Sequence, residues 1–311
     1  MYSELTITVP ASMEKSAQSL GEDLIGLIDE LGGRLESAED ITRLESPKSS
    51  KACFKLLFED GRMFKGRRFK SAERRKSVSD LVSLLEGLPF SPVIATHGAA
   101  IMEEWIIGSQ LLADDMSADQ TRKMATILGT LHAIEHYPEN PPAHNLESAW
   151  YIVRLRNQLA KLVQKGRLES DTRHTLIGLA ESNRPGDLEA GIIHTDYHPR
   201  NMVIDQDGEI WIIDNEGIRL GACDFDIARC WRQWPMTRAH REVFCSAYSK
   251  FRSLDVFFAH QKFWGIYTLA LSAKVYLQHG RPIRQFVEDL YRISRGAEYT
   301  LWPELPLRNP G

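Results

Sequence analysis

Cysteine is scarce and scattered. Cys53, Cys223, Cys230 and Cys245 form no Cys-x-x-Cys pair and no dense framework, which excludes a disulfide-stapled scaffold and makes reduced thiols in the cytoplasm the expectation. A surplus of positive charge is also missing. With a formal net charge of -4 over 311 residues, the chain lacks the basic balance of a dedicated nucleic-acid binder, and no nucleic-acid partner is expected. Long apolar runs are absent as well. The most apolar late stretch, Phe257 to Tyr276, is interrupted by His260, Gln261, Lys262 and Lys274, so it reads as a buried or amphipathic helix and not as a membrane span. The N-terminus, with Glu4 and no basic segment ahead of an apolar run, does not read as a signal peptide. No internal repeat or low-complexity segment is evident. What is present, 43% hydrophobic and 26% charged residues, describes a soluble globule able to bury a large core, and its length makes two lobes the natural prior. The oligomeric state is left open.

Against this background one stretch stands out: His194-Thr195-Asp196-Tyr197-His198-Pro199-Arg200-Asn201, with Asp214-Asn215-Glu216 downstream. Gly191 to His194 is a short apolar run entering a loop, Met202-Val203-Ile204 is a β-branched strand, Asp205 to Gly208 is a turn, and Glu209 to Ile213 returns as a second strand. Asn201 at the start of one strand and Asp214 at the end of its partner then lie close together. Phosphoryl transfer asks for this kind of set: metal on the phosphates, an acceptor hydroxyl in line, and a carboxylate for that hydroxyl's proton. Asp196 is the candidate base. Asn201 and Asp214 are candidate magnesium ligands, since magnesium takes oxygen donors and usually only one or two carboxylates beside substrate phosphates. Taken alone, Asp196 reads as an Asx-turn residue and Asn201 as a strand-edge cap; their joint occurrence with Asp214 reverses that.

His194, Asp196, Pro199 and Asn201 match the protein-kinase catalytic loop, and with His198 the stretch resembles the His-x-Asp-x-His-Pro-x-Asn form of aminoglycoside phosphotransferase and choline kinase-like enzymes. Ile213-Asp214-Asn215-Glu216 looks like that family's metal motif, with Glu216 as a second acid. Gly221 to Ala228 looks like its Gly-x-x-x-x-Asp-x-Ala segment, and Leu131-His132-Ala133 resembles its Leu-His signature. The resemblance implies an α+β, bilobal protein kinase-like fold with a small antiparallel-sheet N-lobe and a mainly helical C-lobe. It also implies ATP as phosphoryl donor, with GTP left open, Mg2+, and a small-molecule acceptor bearing a hydroxyl. His198 would shape the loop or touch the γ-phosphate. Asp226 reads as a helix N-cap giving structural support, and His132 as a satisfied core histidine.

Upstream, Leu20 to Leu31 reads as a short amphipathic helix ended by Gly32-Gly33. Ala52 to Phe69 reads as a hairpin around Asp60-Gly61. With those two as the central turn residues, Phe58 pairs with Met63, Leu56 with Lys65 and Phe54 with Arg67, which sets Lys65 among apolar neighbours. The kinase-like resemblance makes Lys65 the phosphate contact, with Arg67 as the alternative. Leu44 to Lys51 stands where a glycine-rich phosphate loop is expected, yet has no glycine. Its amides and the Ser46, Ser49 and Ser50 hydroxyls are candidate phosphate donors, and a plain solvated turn is the alternative. Ser71 to Gly87 reads as a helix. On the resemblance, Glu73 in it orients the strand lysine, although it lies off the apolar stripe. Ile101 to Gly108 resembles the hinge that offers backbone groups to adenine, at Glu104. The expected division is 1–105 as a nucleotide-binding lobe and 106–311 as a catalytic and acceptor-binding lobe.

In the second lobe, Arg154, Arg156, Lys161 and Lys165 lie on the helix Glu147 to Gly166, and Arg229, Arg232, Arg238, Arg241, Arg281 and Arg284 lie beyond the motif. Such faces are usually solvated; any that line the acceptor site would favour an anionic acceptor. A protein kinase is disfavoured because no Ala-Pro-Glu element or long activation segment lies between Asp214 and Asp226. A nucleotide-binding scaffold is the remaining alternative, but it would be expected to have lost the base or a metal ligand. Acceptor choice is not written in these motifs.

Overall fold

The computed structural model describes residues 20–42, 52–135, 147–234 and 236–297. The chain divides into two compact units, Met1–Glu86 with Phe90–Ile107, and Gly87–Pro89 with Gly108–Gly311.

The first unit is a five-stranded antiparallel sheet with helices α1 (Glu22–Glu30) and α2 (Ala72–Val82). Its strands β1 (Leu35–Asp40), β2 (Ala52–Phe58), β3 (Met63–Arg68), β4 (Val93–His97) and β5 (Ala100–Glu104) lie in the order β1-β2-β3-β5-β4. Strict alternation drives the sheet: Phe54, Leu56 and Phe58 of β2 are buried on one face. With Phe64, Ala100 and Met102 they pack against Leu24, Leu27 and Ile28, which recur at helical spacing on α1.

The β2–β3 register differs from the sequence expectation by one residue. Leu57 pairs with Met63, Leu56 with Phe64, Lys55 with Lys65 and Cys53 with Arg67. The connection is a three-residue loop. Phe58 N donates to Arg62 O at 2.9 Å, Gly61 N donates to Phe58 O at 2.9 Å, and Gly61 takes φ 85, a conformation that favours glycine. The extra loop residue moves Lys65 and Arg67 off the apolar face, because a one-residue slip exchanges the faces of a strand.

The second unit is mainly helical: α3 (Ala118–His132), α4 (Ser148–Gln164), α5 (Ser170–Ser182), α6 (Cys223–Gln233), α7 (Arg238–Tyr248), α8 (Asp255–Ala259), α9 (Gln261–Gln278) and α10 (Arg284–Ser294). The first of these starts with a capping box, Ser117 accepting from Gln120 N while the Gln120 side chain accepts from Ser117 N. Two small sheets lie among the helices: β7 (Ala190–Ile193) with β10 (Arg219–Ala222), and β6 (Ser109–Gln110) with β8 (Met202–Ile204) and β9 (Ile210–Ile212). Gly108 leads into β6, and a Cβ there would stand 2.1 Å from Ile204 O, so only glycine lets the chain pass. The late apolar stretch becomes α8 and α9, with Phe263, Trp264, Ile266 and Leu269 fully buried and α9 packed on α4, α6 and α10. Among the described residues no helix is long and apolar enough to cross a membrane.

Candidate active site

In the second unit β7 delivers the chain into the His194–Asn201 loop, and the loop is pinned by buried polar contacts. Asp226, fully buried on α6, accepts from His194 N through Oδ2 and from Thr195 N through Oδ1, each at 2.7 Å. Thr195 sits in the left-handed region at φ 70, an unfavourable place for a β-branched residue. The buried Tyr197 donates its hydroxyl to Met124 O at 2.8 Å. Asp226 is therefore not the N-cap that the sequence suggests. It lies within the first turns of α6, facing the loop, and His132 Nε2 stands 3.3 Å from its Oδ2. His132 is the satisfied core histidine expected, its Nδ1 bonded to Tyr248 Oη at 2.7 Å. Burial opposes its charge, but Cys223 and Asp226 beside it outweigh burial and raise the imidazole to about 9.

Asp196 is the most heavily coordinated side chain of the loop. Its Oδ1 accepts from Arg229 Nη2 at 2.9 Å and Gln233 Nε2 at 2.8 Å, and its Oδ2 accepts from Asn201 Nδ2 at 3.0 Å. His198 Nε2 stands 3.4 Å from Oδ2. Burial alone would raise this carboxyl, but His198, Arg229 and Gln233 outweigh it and hold the group well below the usual carboxylate range.

Both ring nitrogens of His198 are engaged inside the loop, since Nδ1 accepts from Arg200 N at 3.2 Å. These contacts tie His198 into the loop. Arg229, one of the basic residues beyond the motif, is not solvated but braces Asp196, its Nε also donating to Thr195 O at 2.8 Å. Gln233 was not foreseen. The signal was its spacing, because Asp226, Arg229 and Gln233 are three and four residues apart and share one face of α6.

Asn201 is buried, and its Nδ2 also bonds Asp196 O at 2.9 Å; its Oδ1 is accordingly the atom with the chemistry for a cation. Ile213 N donates to Asn201 O at 2.9 Å, which sets Asp214 beside Asn201 as the hairpin reading expects. Asp214 is itself left-handed, at φ 71, and opens a 3-10 turn over Asn215–Gly217 that carries the half-buried Glu216. Among the described residues no three His, Cys, Asp or Glu side chains cluster as a metal site. The candidate set is the smaller one of Asn201, Asp214 and Glu216. All its donors are oxygens and two are carboxylates, which fits a magnesium ion shared with substrate phosphates.

In the first unit Lys65 faces away from the apolar core, and Glu103 is its directly opposed residue on β5. Glu103 Oε2 lies 3.9 Å from both Lys65 Nζ and Arg67 Nε. Glu73 is exposed, in the first turn of α2 after its Ser71 cap. The carboxylate placed beside Lys65 in this unit is that of its cross-strand neighbour Glu103. At Glu104, the N donates to Pro92 O at 2.9 Å and the O accepts from Ser91 Oγ at 2.8 Å. Next to it, the Trp105 ring carries Lys55 Nζ at 4.9 Å from its centroid. Ser49, with Ser46 and Ser50, lies outside the described residues.

The family model described as the phosphotransferase enzyme family matches residues 80–255. The chain belongs to this family. Comparison with curated protein sequences finds no match. Among solved structures, the choline kinase LicA from Streptococcus pneumoniae is 15% identical, with 92% of this chain and 99% of that one covered at a TM-score of 0.63. Amicoumacin kinase hAmiN, solved with AMP-PNP and Ca2+, is 14% identical, with 94% and 98% covered at 0.63. The macrolide 2'-phosphotransferase MphH from Brachybacterium faecium is 16% identical, with 89% and 98% covered at 0.56. The fold of this phosphotransferase is therefore the α+β protein kinase-like one, with an antiparallel-sheet N-terminal unit and a helical C-terminal unit, as its motifs imply.

Proposed function

We propose that this phosphotransferase is an ATP-dependent small-molecule kinase that transfers the γ-phosphoryl group to an acceptor hydroxyl. The observation that carries the reading is the Asp196 carboxylate, fixed by Arg229, Gln233, Asn201 and His198 and joined through Asn201 to the strand that ends at Asp214. Asp196 orients the acceptor hydroxyl and takes its proton as the new P–O bond forms and ADP leaves. A carboxylate held so firmly in its ionised form is a weak base. Its contribution is thus mainly position, which suits a loose transition state in which the proton moves late. Asn201, Asp214 and Glu216 would hold magnesium, which when bound neutralises charge on the phosphates. Lys65, oriented by Glu103, is the phosphate contact of the first unit.

The test is release of the nucleoside diphosphate, ADP from ATP and GDP from GTP, with and without magnesium, over a panel of hydroxyl acceptors. Magnesium-dependent release that needs both an acceptor and Asp196 is the expected result. Absence of release with every acceptor would overturn the reading.

A further inference from the structure

The second unit contains a cavity of about 680 Å3 whose lining includes Arg154, Lys161, Arg219 and Lys274 and no acidic residue. Its walls follow from helical periodicity: Arg154, Gln158 and Lys161 share one face of α4, and Tyr267 and Lys274 share one face of α9. Several other cations of this unit pair with carboxylates. Arg156 pairs with Glu181, Arg238 with Glu242, Arg284 with Glu288, and Arg232 reaches Asp289 at 3.9 Å. Among the described residues, none of the four cavity cations makes an ion pair with a carboxylate.

Their surroundings add to the imbalance. Arg154 lies over the Trp150 ring at 4.9 Å and Arg219 over Phe225 at 5.9 Å, which fixes both guanidinium groups without neutralising them. Burial lowers Lys274 from the usual lysine range, and Lys161 and Arg154 push it further the same way, as expected of like charges gathered in one place. Gln158, only 4% exposed, lines the cavity with an Oε1 that accepts no hydrogen bond among the described residues. A cluster of cations that repel one another is costly in the empty state and favourable once an anion enters. Arginine and lysine together supply the forked and point-charge donors that phosphate and carboxylate take. Trp150, Phe225 and Tyr267 add flat apolar walls suited to a ring.

The cavity and the base also share their supports. Arg219 is directly opposite Ile193, the last residue of β7 before the loop that carries Asp196. Phe225 lies one turn before Arg229, which braces Asp196. We infer that this cavity receives the anionic group of the acceptor, a hydroxyl-bearing small molecule that carries a phosphate or carboxylate, such as a sugar phosphate or a uronate. The inference rests on the phosphotransferase reading above, and it disfavours polycationic acceptors, which the four cations would repel.

The test compares glucose 6-phosphate, glucuronate, glucose, choline and kanamycin as acceptors for wild type and for Arg154→Gln/Lys274→Gln, both exposed or half-buried positions whose loss leaves the core intact. The expected result is ADP release with an anionic acceptor, whose KM rises at least tenfold in the double variant while the KM for MgATP stays within twofold. Turnover confined to choline, kanamycin or glucose, with KM unchanged in the variant, would overturn the inference and leave the kinase reading standing. If no acceptor gives ADP, calorimetry with inorganic phosphate separates the two ideas. Binding that the double variant loses supports the anion site while the kinase reading falls, and no binding to either protein overturns the site as well.

Discussion

The backbone amide of Thr195, left-handed at φ 70, donates to Asp226 Oδ1 at 2.7 Å. A strained residue immediately before the candidate base is thus held by a carboxylate from another element. The same helix face continues to Arg229 and Gln233, which grip Asp196 itself. One face of α6 therefore sets both the path of the loop and the direction of its carboxylate.

Removing Asp226 should release that strain. Asp226→Ala is expected to cost about 2 to 5 kcal/mol, since it leaves the amides of His194 and Thr195 without their acceptor. In a Thr195→Gly background the cost should be larger by roughly 1 to 3 kcal/mol, because glycine takes this conformation without strain and no strain is released there to offset the lost bonds. Urea unfolding of the four proteins measures the difference. Equal costs in both backgrounds would show that Asp226 does not hold the strain.

Much of the site was legible because it is local in sequence. Asp196, Asn201 and Asp214 sit on one strand-turn-strand, and short turns leave little freedom in where their side chains arrive. The contacts that were missed are those made by distant segments. Glu103 meets Lys65 only because β3 pairs with β5 across the intervening α2 and β4, and no local pattern specifies that partner. The hairpin register failed for a smaller reason: Asp60-Gly61 fits both a two-residue turn and a three-residue loop with glycine left-handed at its end, and the two differ by one residue. The basic residues could not be sorted before the fold was known, since whether an arginine meets a carboxylate depends on the facing helix.

The ionisation of Asp196 gives a pH prediction. With its carboxyl held well below the ordinary range, wild-type kcat should show no acid limb where carboxylates usually titrate, around pH 4. Arg229→Gln removes one of the charges that lowers it, so an acid limb should appear at higher pH than in wild type. Asp196→Asn should lower turnover by at least about 10²-fold in a protein that stays folded. Near-normal turnover in that variant would remove Asp196 from the mechanism.

Asp224 is a buried carboxylate outside the loop network, and burial together with Glu189 raises it to about 6 from its ordinary 3.8. The folded state then binds its proton more tightly than the unfolded state does, so ionisation costs stability as pH rises through that window and the full cost is present above it. Asp224→Asn should raise the melting temperature at pH 8, by an amount corresponding to about 1 to 3 kcal/mol, and give no gain at pH 4. A pH-independent difference between the two proteins would exclude the carboxyl as its source.

Lys65 and Arg67 share the Glu103 carboxylate but differ in what they can reach. The Lys65 side chain is 11% exposed and that of Arg67 5%, and Lys65 stands directly opposite Glu103 on the neighbouring strand while Arg67 stands opposite Ile101. An ammonium at the surface of this face can meet a phosphate; a buried guanidinium mainly keeps Glu103 from being an isolated buried charge. Lys65→Met should therefore weaken MgATP-dependent thermal stabilisation with little change in the melting temperature of the free protein. Arg67→Met should do the reverse, lowering the free protein's stability, because the buried Glu103 is left with Lys65 as its partner in place of two cations. Glu103→Gln should show both effects in part, because it loosens Lys65 and leaves Arg67 with a weaker acceptor. If Arg67→Met abolished the MgATP-dependent shift while Lys65→Met left it unchanged, the phosphate contact would pass from Lys65 to Arg67.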